Sequence, residues 1–338
     1  MLQNEMKQIA NSKIAIIILV WNDYYNSRET IKSVLNSKDI DFDVFIVDNA
    51  STNDCINLLR DEFSDFEHLY FCINDFNWGY AEGNNIAIRK CMDLGYDYFY
   101  ILNNDVIFES EFCIRDMWKT MKDDLSIGIL APLIWNRQKD GQFVKGSIMT
   151  NSRLYNLMMR KNNIRLGEYE EGKFRVPTVS GSFMAITRKC IEKNHGFEKN
   201  FFMYGEEDDL CLRTNLNGLK VVKLSRDYGI KHLGGILEFV SVADWKRVAS
   251  FRNRLLLTRS FPLNQIILYC IILFLQGVNN SLKLIKNKNV KSAIIYFVAF
   301  FEGLHDLVWY KRLSKSSVLF DRGRKLAIAN RIYGIKVK

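Results

Sequence analysis

The sequence predicts an α/β fold: a mostly parallel sheet flanked by helices, followed by a helical C-terminal segment. Three observations carry this. Short β-branched or aromatic runs recur at nearly even intervals: IAIIILV (14–20), FDVFIV (42–47), LYFCI (69–73) and YFYIL (98–102). Segments of mixed polar and apolar character, 27–38, 52–62 and 82–94, fill the intervals. That alternation is what βαβ units and a parallel sheet require. The run 14–20 is apolar throughout, as expected of a strand covered by helices on both faces.

Beyond these, IGILA (127–131) predicts a further strand, and the polar, irregular stretch 136–175 predicts a loop region over the sheet edge. VSGSFMAIT (179–187) returns to strand character. EEDDLCLRTNLNGL (206–219) predicts a helix. Its acidic start suits the positive end of the helix dipole, and Gly218 supplies a stop. After Asp244 the character changes. WKRVASFRNRLLLTRS (245–260) places Val248, Phe251, Leu255 and Leu256 on one helix face, flanked by Arg247 and Arg254 on one side and Arg252 and Arg259 on the other. The apolar runs within 264–278 and 292–301 are shorter than the ~20 residues of a spanning helix. Either a core hairpin or helices lying in a membrane interface would use them. The charge distribution favours the interface. The expected organisation is therefore a domain over 1–243, with halves at about 14–131 and 132–243, and a basic, apolar helical segment over 244–338.

The chain has 338 residues, 48% hydrophobic and 25% charged, with only 3 prolines. This composition buries a full core and argues against long disorder. The 7 cysteines (55, 72, 91, 113, 190, 211, 270) are scattered and form no C-x-x-C pair. That excludes a zinc ribbon or a disulfide framework and fits free thiols in a reducing compartment. Lys7 and Lys13 precede an apolar run to Trp21, but Asn22-Asp23 follow where a leader would have small residues. The run reads as a strand and not as a signal peptide. The net charge of +9 is uneven: from Asp244 onward there are 18 Lys and Arg against 4 Asp and Glu, leaving 29 against 34 before it. An acidic front and a basic back suit two different partners, the second an anionic membrane surface. No nucleic acid is expected.

Four polar clusters punctuate the elements: VWND (20–23), VDNASTND (47–54) and LNNDV (102–106) after strands, and GEEDDL (205–210) at a helix start. Singly, each has a local explanation as a helix cap or an acidic first turn. Together they mean more, because a parallel sheet sends the carboxyl ends of its strands to one edge. Such a crevice suits a nucleoside diphosphate. Asp48 can accept from the N3–H of a pyrimidine, and Trp21 offers a flat face to the base. Within NWGYAEGNN (77–85), Gly79 and Gly83 allow close backbone approach, and Asn84 and Asn85 sit at a helix start that attracts phosphate. Asp105 would hold Mg2+ or Mn2+ through hard oxygen ligation. Such a cation neutralises a departing diphosphate.

In this order the motifs resemble the family 2, inverting nucleotide-sugar glycosyltransferases, especially the branch of bacterial rhamnosyltransferases and galactofuranosyltransferases. The resemblance runs from about 14 to 260 and rests on VWN, VDNASTND, NWGYAEGNNIAI, LNNDV, FFMYGEEDDLCLR (201–213) and SFRNRLLLTRS. It implies a GT-A, Rossmann-like fold and a dTDP-rhamnose or UDP-hexose donor. Trp21, Asn22, Asp48, Asn49, Gly79, Asn84, Asn85, Asn103 and Asn104 would contact that donor. It further implies Asp105 with His232 of IKHLGG as metal residues, and Gly181 and Ser182 of VSGSFM beside a glycan or lipid-linked glycan acceptor. Glu207 falls where the family has its catalytic Asp, with Asp208 and Asp209 as alternatives. The implied setting is surface-polysaccharide synthesis in bacteria, at the cytoplasmic, inner face of the cell membrane, in an arrangement compatible with a homo-oligomer. Two positions depart from the family pattern: Asn103-Asn104-Asp105 carries one carboxylate where a D-x-D motif has two, and Glu207 replaces Asp. A sugar-phosphate nucleotidyltransferase would need a Gly-rich basic loop after the first strand, and VWNDYYNSR has no glycine. A glycan- or lipid-binding protein with a degenerate site is separated from the enzyme by turnover.

Overall fold

The structure, a computed structural model, describes residues 14–138, 140–149, 152–234, 244–260 and 263–309. The chain divides into two compact units: Met1–Phe197 with Leu210–Ile236, and Glu198–Asp209 with Leu237–Lys338.

The first unit opens with β1 (Ile14–Val20), α1 (Tyr24–Leu35), β2 (Asp43–Asp48), α2 (Cys55–Glu62), β3 (Leu69–Ile73), α3 (Gly79–Asp93) and β4 (Tyr98–Asn103). Every β1 residue except Leu19 is buried, which is the reason its run lacks polar alternation. The chain continues through β5 (Val106–Ile107), α4 (Cys113–Asp123), β6 (Ile127–Ala131), β7 (Ile134–Arg137), β8 (Phe143–Lys145), α5 (Arg153–Lys161), β9 (Gly167–Glu170), β10 (Lys173–Arg175), β11 (Phe183–Thr187) and α6 (Arg188–Asn194). Helix α7 (Glu206–Leu216), which belongs to this unit from Leu210 on and to the second unit through Asp209, β12 (Lys220–Leu224) and β13 (Ile230–His232) follow. The large sheet has nine strands in the order β3-β2-β1-β4-β11-β6-β12-β10-β9, and a smaller one runs β5-β13-β7-β8. Strands β1 to β4 are mutually parallel, and β11 enters antiparallel beside β4.

The order reverses at β1, with β2 on one side and β4 on the other. This is the switch point of an open α/β sheet, where a crevice forms outside the carboxyl ends. The register levels those ends: Val20 pairs with Asp48, and Leu19 with Asn103. Residues 136–175 differ from the expected loop region, since they contain β8, α5, β9, β10 and the end of β7. Strands of three or four residues are too short to show a period-2 pattern. All seven cysteines are free thiols.

The second unit holds α8 (Asp244–Leu257), a turn at Thr258–Ser260, α9 (Leu263–Lys286) and α10 (Val290–Trp309). Phe251, Leu255 and Leu256 are buried as the pattern predicts. The arginines correct it. Arg252 is among the largest fully buried side chains, with Nε donating to Asp306 Oδ2 at 2.8 Å and Nη2 sharing the same oxygen. Arg259 donates to the Asp306 carbonyl, and Arg254 is half-buried. Helix α10 reaches α8 at Gly303, where a Cβ would lie 2.7 Å from Leu255 Cδ1 and 2.9 Å from the Arg252 carbonyl oxygen. Arg252 therefore serves the core of this unit and does not face lipid.

The length of the apolar helices is also corrected. Helix α9 has 24 residues and is, among the described residues, the one helix long and apolar enough to cross a membrane, with 22% of its apolar window buried. At 1.5 Å per residue it spans about 36 Å. The sequence reading stopped at the polar residues bounding the run, although the helix continues through them. Ile267, Ile271 and Leu275 on α9, and Ile294, Val298 and Phe301 on α10, are exposed. The Arg247 side chain, residues 1–13 with Lys7 and Lys13, and the basic tail 310–338 lie outside the described residues.

Removing one partner of a buried ion pair strands the other charge, at a cost of ~3–5 kcal/mol. Asp306→Ala should lower unfolding stability by about that amount in denaturant titration, whereas a change under ~1 kcal/mol would show the pair to be effectively solvated.

Candidate functional site

Asp48 ends β2 with its side chain almost fully buried. Its Oδ1 accepts from the Ser51 N–H at 3.0 Å, which turns the chain sharply after the strand. Asn22 sits beyond β1 at φ 57°, a left-handed conformation that Asn tolerates. Its Oδ1 accepts from the Thr52 N–H at 2.7 Å, while its own N–H donates to Ser51 Oγ at 2.9 Å. Asn22 thus ties the loop after β1 to the loop after β2. Asp23 caps α1, accepting from the Asn26 N–H. Trp21 beside it is 43% exposed, so its ring is open to a ligand.

Asn49 is buried and its amide is fully engaged. Nδ2 donates to Asn77 Oδ1 at 2.9 Å and to the Gly79 carbonyl at 3.2 Å. Oδ1 accepts from Asn74 Nδ2 at 3.2 Å and the Trp78 N–H at 3.1 Å. It fastens the 74–79 loop to the end of β2. Gly79 opens α3 at φ 72°. At Gly83 a Cβ would meet Leu19 Cδ1 at 3.0 Å and Asn49 Nδ2 at 3.3 Å, so the glycine lets α3 press on β1. The two helix asparagines diverge. Asn85 clasps Phe197, accepting from its N–H and donating to its carbonyl, each at 2.9 Å. Asn84 Nδ2 donates to the Tyr80 carbonyl, while its buried Oδ1 has no hydrogen-bond partner among the described residues.

The strand β4 stops at Asn103, whose N–H donates to the Ser182 carbonyl at 2.9 Å. Asn104 Nδ2 donates to Ser27 Oγ at 3.0 Å, anchoring the turn to α1. The Gly181 carbonyl accepts from the Tyr80 hydroxyl at 2.5 Å. The Ser182 side chain is buried, 2.8 Å from Ser180 Oγ. Asp105 follows in the turn and is held by its backbone: the Leu233 N–H donates to its carbonyl at 2.8 Å, and Val106 pairs with His232. This ladder sets Asp105 Oδ1 3.2 Å from His232 Nε2. The approach lacks hydrogen-bond alignment, and Oδ1 is buried with no hydrogen-bond partner among the described residues. A carboxylate oxygen and an imidazole nitrogen side by side but not bonded to each other are suited to a shared cation. No group of three or more His, Cys, Asp or Glu side chains gathers among the described residues, so a cation there would draw its other ligands from substrate and water.

The acidic cluster opens α7. Glu206 is buried with an unpartnered Oε2. Burial, and then the charge of Glu207, push its carboxyl well above the usual range. Glu207 accepts from the Gly205 N–H at 3.1 Å. Burial beneath surrounding protein and the charge of Asp208 push its pKa up to about 7, against which backbone N–H groups act. Asp208 is half-buried and Asp209 buried.

Of the asparagines the sequence proposes for donor binding, Asn49 and Asn85 spend both ends of their amides on internal bonds. Asn77, Ser27, Asn253 and Asp306 carry structural bonds at or behind these positions that the sequence pattern does not single out.

A doubly wound sheet with this switch point is the fold of the GT-A glycosyltransferases. The structure of S. aureus TarS in complex with UDP-GlcNAc superposes with a TM-score of 0.59 at 13% identity, covering 87% of this chain and 81% of that one. A mannosyltransferase from Pyrobaculum calidifontis, in complex with GDP-Man and Mn2+, gives 0.54 at 13% identity, with 88% of each chain covered. Residues 15–194 match the glycosyl transferase family 2, and the chain belongs to that family. Residues 167–233 also match the N-terminal domain of galactosyltransferase. Among curated relatives, a low-salt glycan biosynthesis hexosyltransferase of Haloferax volcanii is 25% identical, over 64% of this chain and 66% of the relative. A rhamnosyltransferase of Escherichia coli is 23% identical, over 72% of this chain and 96% of the relative.

Proposed function

We propose that the chain transfers a hexosyl or rhamnosyl group, with inversion, from a nucleoside-diphosphate sugar to a hydroxyl of a glycan or lipid-linked glycan. The observation that carries this reading is the Asp105–His232 pair, a buried carboxylate oxygen without a hydrogen-bond partner at the end of β4. Asp105 and His232 would hold Mg2+ or Mn2+. When bound, such a cation supplies charge neutralisation to a leaving diphosphate. Asp48, with its carboxylate fixed by Ser51, receives the N3–H of a uracil or thymine base, and the exposed Trp21 ring covers the base. Asn84 Oδ1, buried and without a hydrogen-bond partner among the described residues, would accept from a donor hydroxyl only if the loops above it open. Glu207, poised near neutrality, takes the proton of the acceptor hydroxyl as it attacks the anomeric carbon. General-base help of this kind is worth ~10²–10⁴-fold.

The second unit supports a peripheral position at the inner face of the cell membrane. The exposed apolar side chains of α9 and α10 would enter the acyl boundary, with Lys283, Lys286 and Lys288 at the level of anionic headgroups. A lipid-linked acceptor would be met there.

A panel of nucleotide sugars, read by released nucleoside diphosphate, should give turnover with dTDP-rhamnose or a UDP-hexose in the presence of Mg2+ or Mn2+. Asp105→Ala should abolish it without lowering unfolding stability, because removing a buried carboxylate oxygen that no donor serves strands no partner. Unchanged turnover in Asp105→Ala would end the metal assignment.

The wild-type kcat should rise with pH through about 7, because the carboxylate form of Glu207 is the active one and its protonation removes the base. Glu207→Gln should lower kcat ~10²-fold or more and erase that acid limb. A mild loss in Glu207→Gln, with the damage appearing in Asp208→Asn or Asp209→Asn, would move the base by one or two positions.

Recovery with membranes should resist high salt, yield to detergent, and fall in Ile271→Glu, since a charge among the acyl chains is disfavoured. Release by salt alone would show that the apolar faces of α9 and α10 do not enter lipid.

A further inference from the structure

Asn253 lies inside α8 with 1% of its surface exposed. An amide within a helix competes with the backbone and is costly to bury unless both ends are bonded. Here both are. Nδ2 donates to the carbonyls of Met203 at 2.8 Å and Tyr204 at 2.7 Å. Oδ1 accepts from Arg252 Nη1 at 2.7 Å. Arg252 also donates to the Asn200 carbonyl at 3.2 Å, and its guanidinium is fixed by Asp306. The ion pair at the centre of this unit thus orients an amide that grips the turn just before the acidic cluster.

That turn needs gripping. Tyr204 has φ 72° and Gly205 φ 94°. A tyrosine in the left-handed region is uncommon and persists only where its surroundings enforce it. The Tyr204 carbonyl and the Gly205 N–H belong to one planar peptide unit. Its oxygen accepts from Asn253 and its N–H donates to Glu207 Oε2. Rotation of that peptide would break both bonds at once.

We propose that Asn253 is a positioning residue for the catalytic base: by clamping the Tyr204–Gly205 peptide it fixes the N–H that holds the Glu207 carboxylate. The proposal rests on Glu207 as the base. The Gly205 N–H favours the charged carboxylate, opposing burial and the charge of Asp208. The charged groups nearby are Glu206 and Asp208 on the same helix, and Arg252, Asp306 and His305 joined to the other end of the Asn253 amide. Without the clamp, Glu207 loses a donor, titrates higher, and is less often ionised at neutral pH.

The test measures kcat and donor KM against pH in Asn253→Ala and in Asn253→Leu, the latter with the same branching and number of side-chain heavy atoms but no polar group. Both should fold, lower kcat at pH 7 by ~10-fold or more, leave donor KM within about twofold, and move the acid limb upward by about one unit. Asn253→Ala added to Glu207→Gln should cost nothing further, because it acts through the group already removed. An unmoved acid limb, additive losses in the double variant, or failure of both single variants to fold would each overturn the proposal by making Asn253 a residue of the fold alone. If Glu207→Gln itself retains full kcat and its limb, the base assignment fails and the proposal with it. If Glu207→Gln is damaged and the Asn253 variants are not, the proposal fails alone.

Discussion

Asp105 and His232 stand 3.2 Å apart, within ion-pair distance but without a hydrogen bond between them, and keeping them so is the constraint on which the reading of this site depends. A free carboxylate and imidazole would rotate into a hydrogen bond or turn to water. Here the backbone decides. The β5–β13 ladder pairs Val106 with His232 and takes the Asp105 carbonyl, while Asn104 is tied to Ser27 on α1. Both side chains are mostly buried, so water cannot replace the missing partner without cost. The cost is met by the fold, and an arrangement held before any ligand arrives spends little on reorganisation when one does.

The same economy governs the asparagines at the crevice. Asn49 and Asn85 join segments to one another through both ends of their side-chain amides, and Asn22 does so through its side-chain oxygen and its backbone N–H. An amide can donate and accept at once, so one side chain can fasten a carbonyl and an N–H from different segments. Loops after parallel strands are the mobile part of an α/β protein. Buried amides at their bases hold them in place beside the exposed ring of Trp21. The second unit applies the principle with a charge pair: Asp306 fixes Arg252, Arg252 orients Asn253, and Asn253 sets the turn before Glu206 and Glu207.

Much of this was legible in the sequence. β1 and β6 coincide with the predicted runs because strands buried on both faces are written as unbroken apolar stretches, and β3 coincides as well although it is an edge strand with only Leu69 buried. The stop at Asn103-Asn104-Asp105 was visible as a break in such a run. Residues 136–175 were not legible, because their strands are too short for periodicity. Nor was the role of the asparagines: a sequence shows that an amide is present, not whether its bonds go to a ligand or to a neighbouring loop. Arg252 misled for a related reason. A basic residue beside an apolar stripe is normally at the surface, and only its pairing with Asp306, 54 residues on, shows that it is internal. The helix length of α9 was underestimated because helices do not end where apolar character ends.

Pulsed electron paramagnetic resonance on the Mn2+ complex, formed with a nucleoside diphosphate, tests the central claim most directly, since it reads ligands without reference to turnover. The account predicts an imidazole nitrogen coupling in the wild-type chain, its disappearance in His232→Ala, and loss of saturable Mn2+ binding in Asp105→Ala. Saturable Mn2+ binding with no nitrogen coupling, or a coupling that survives His232→Ala, would contradict it.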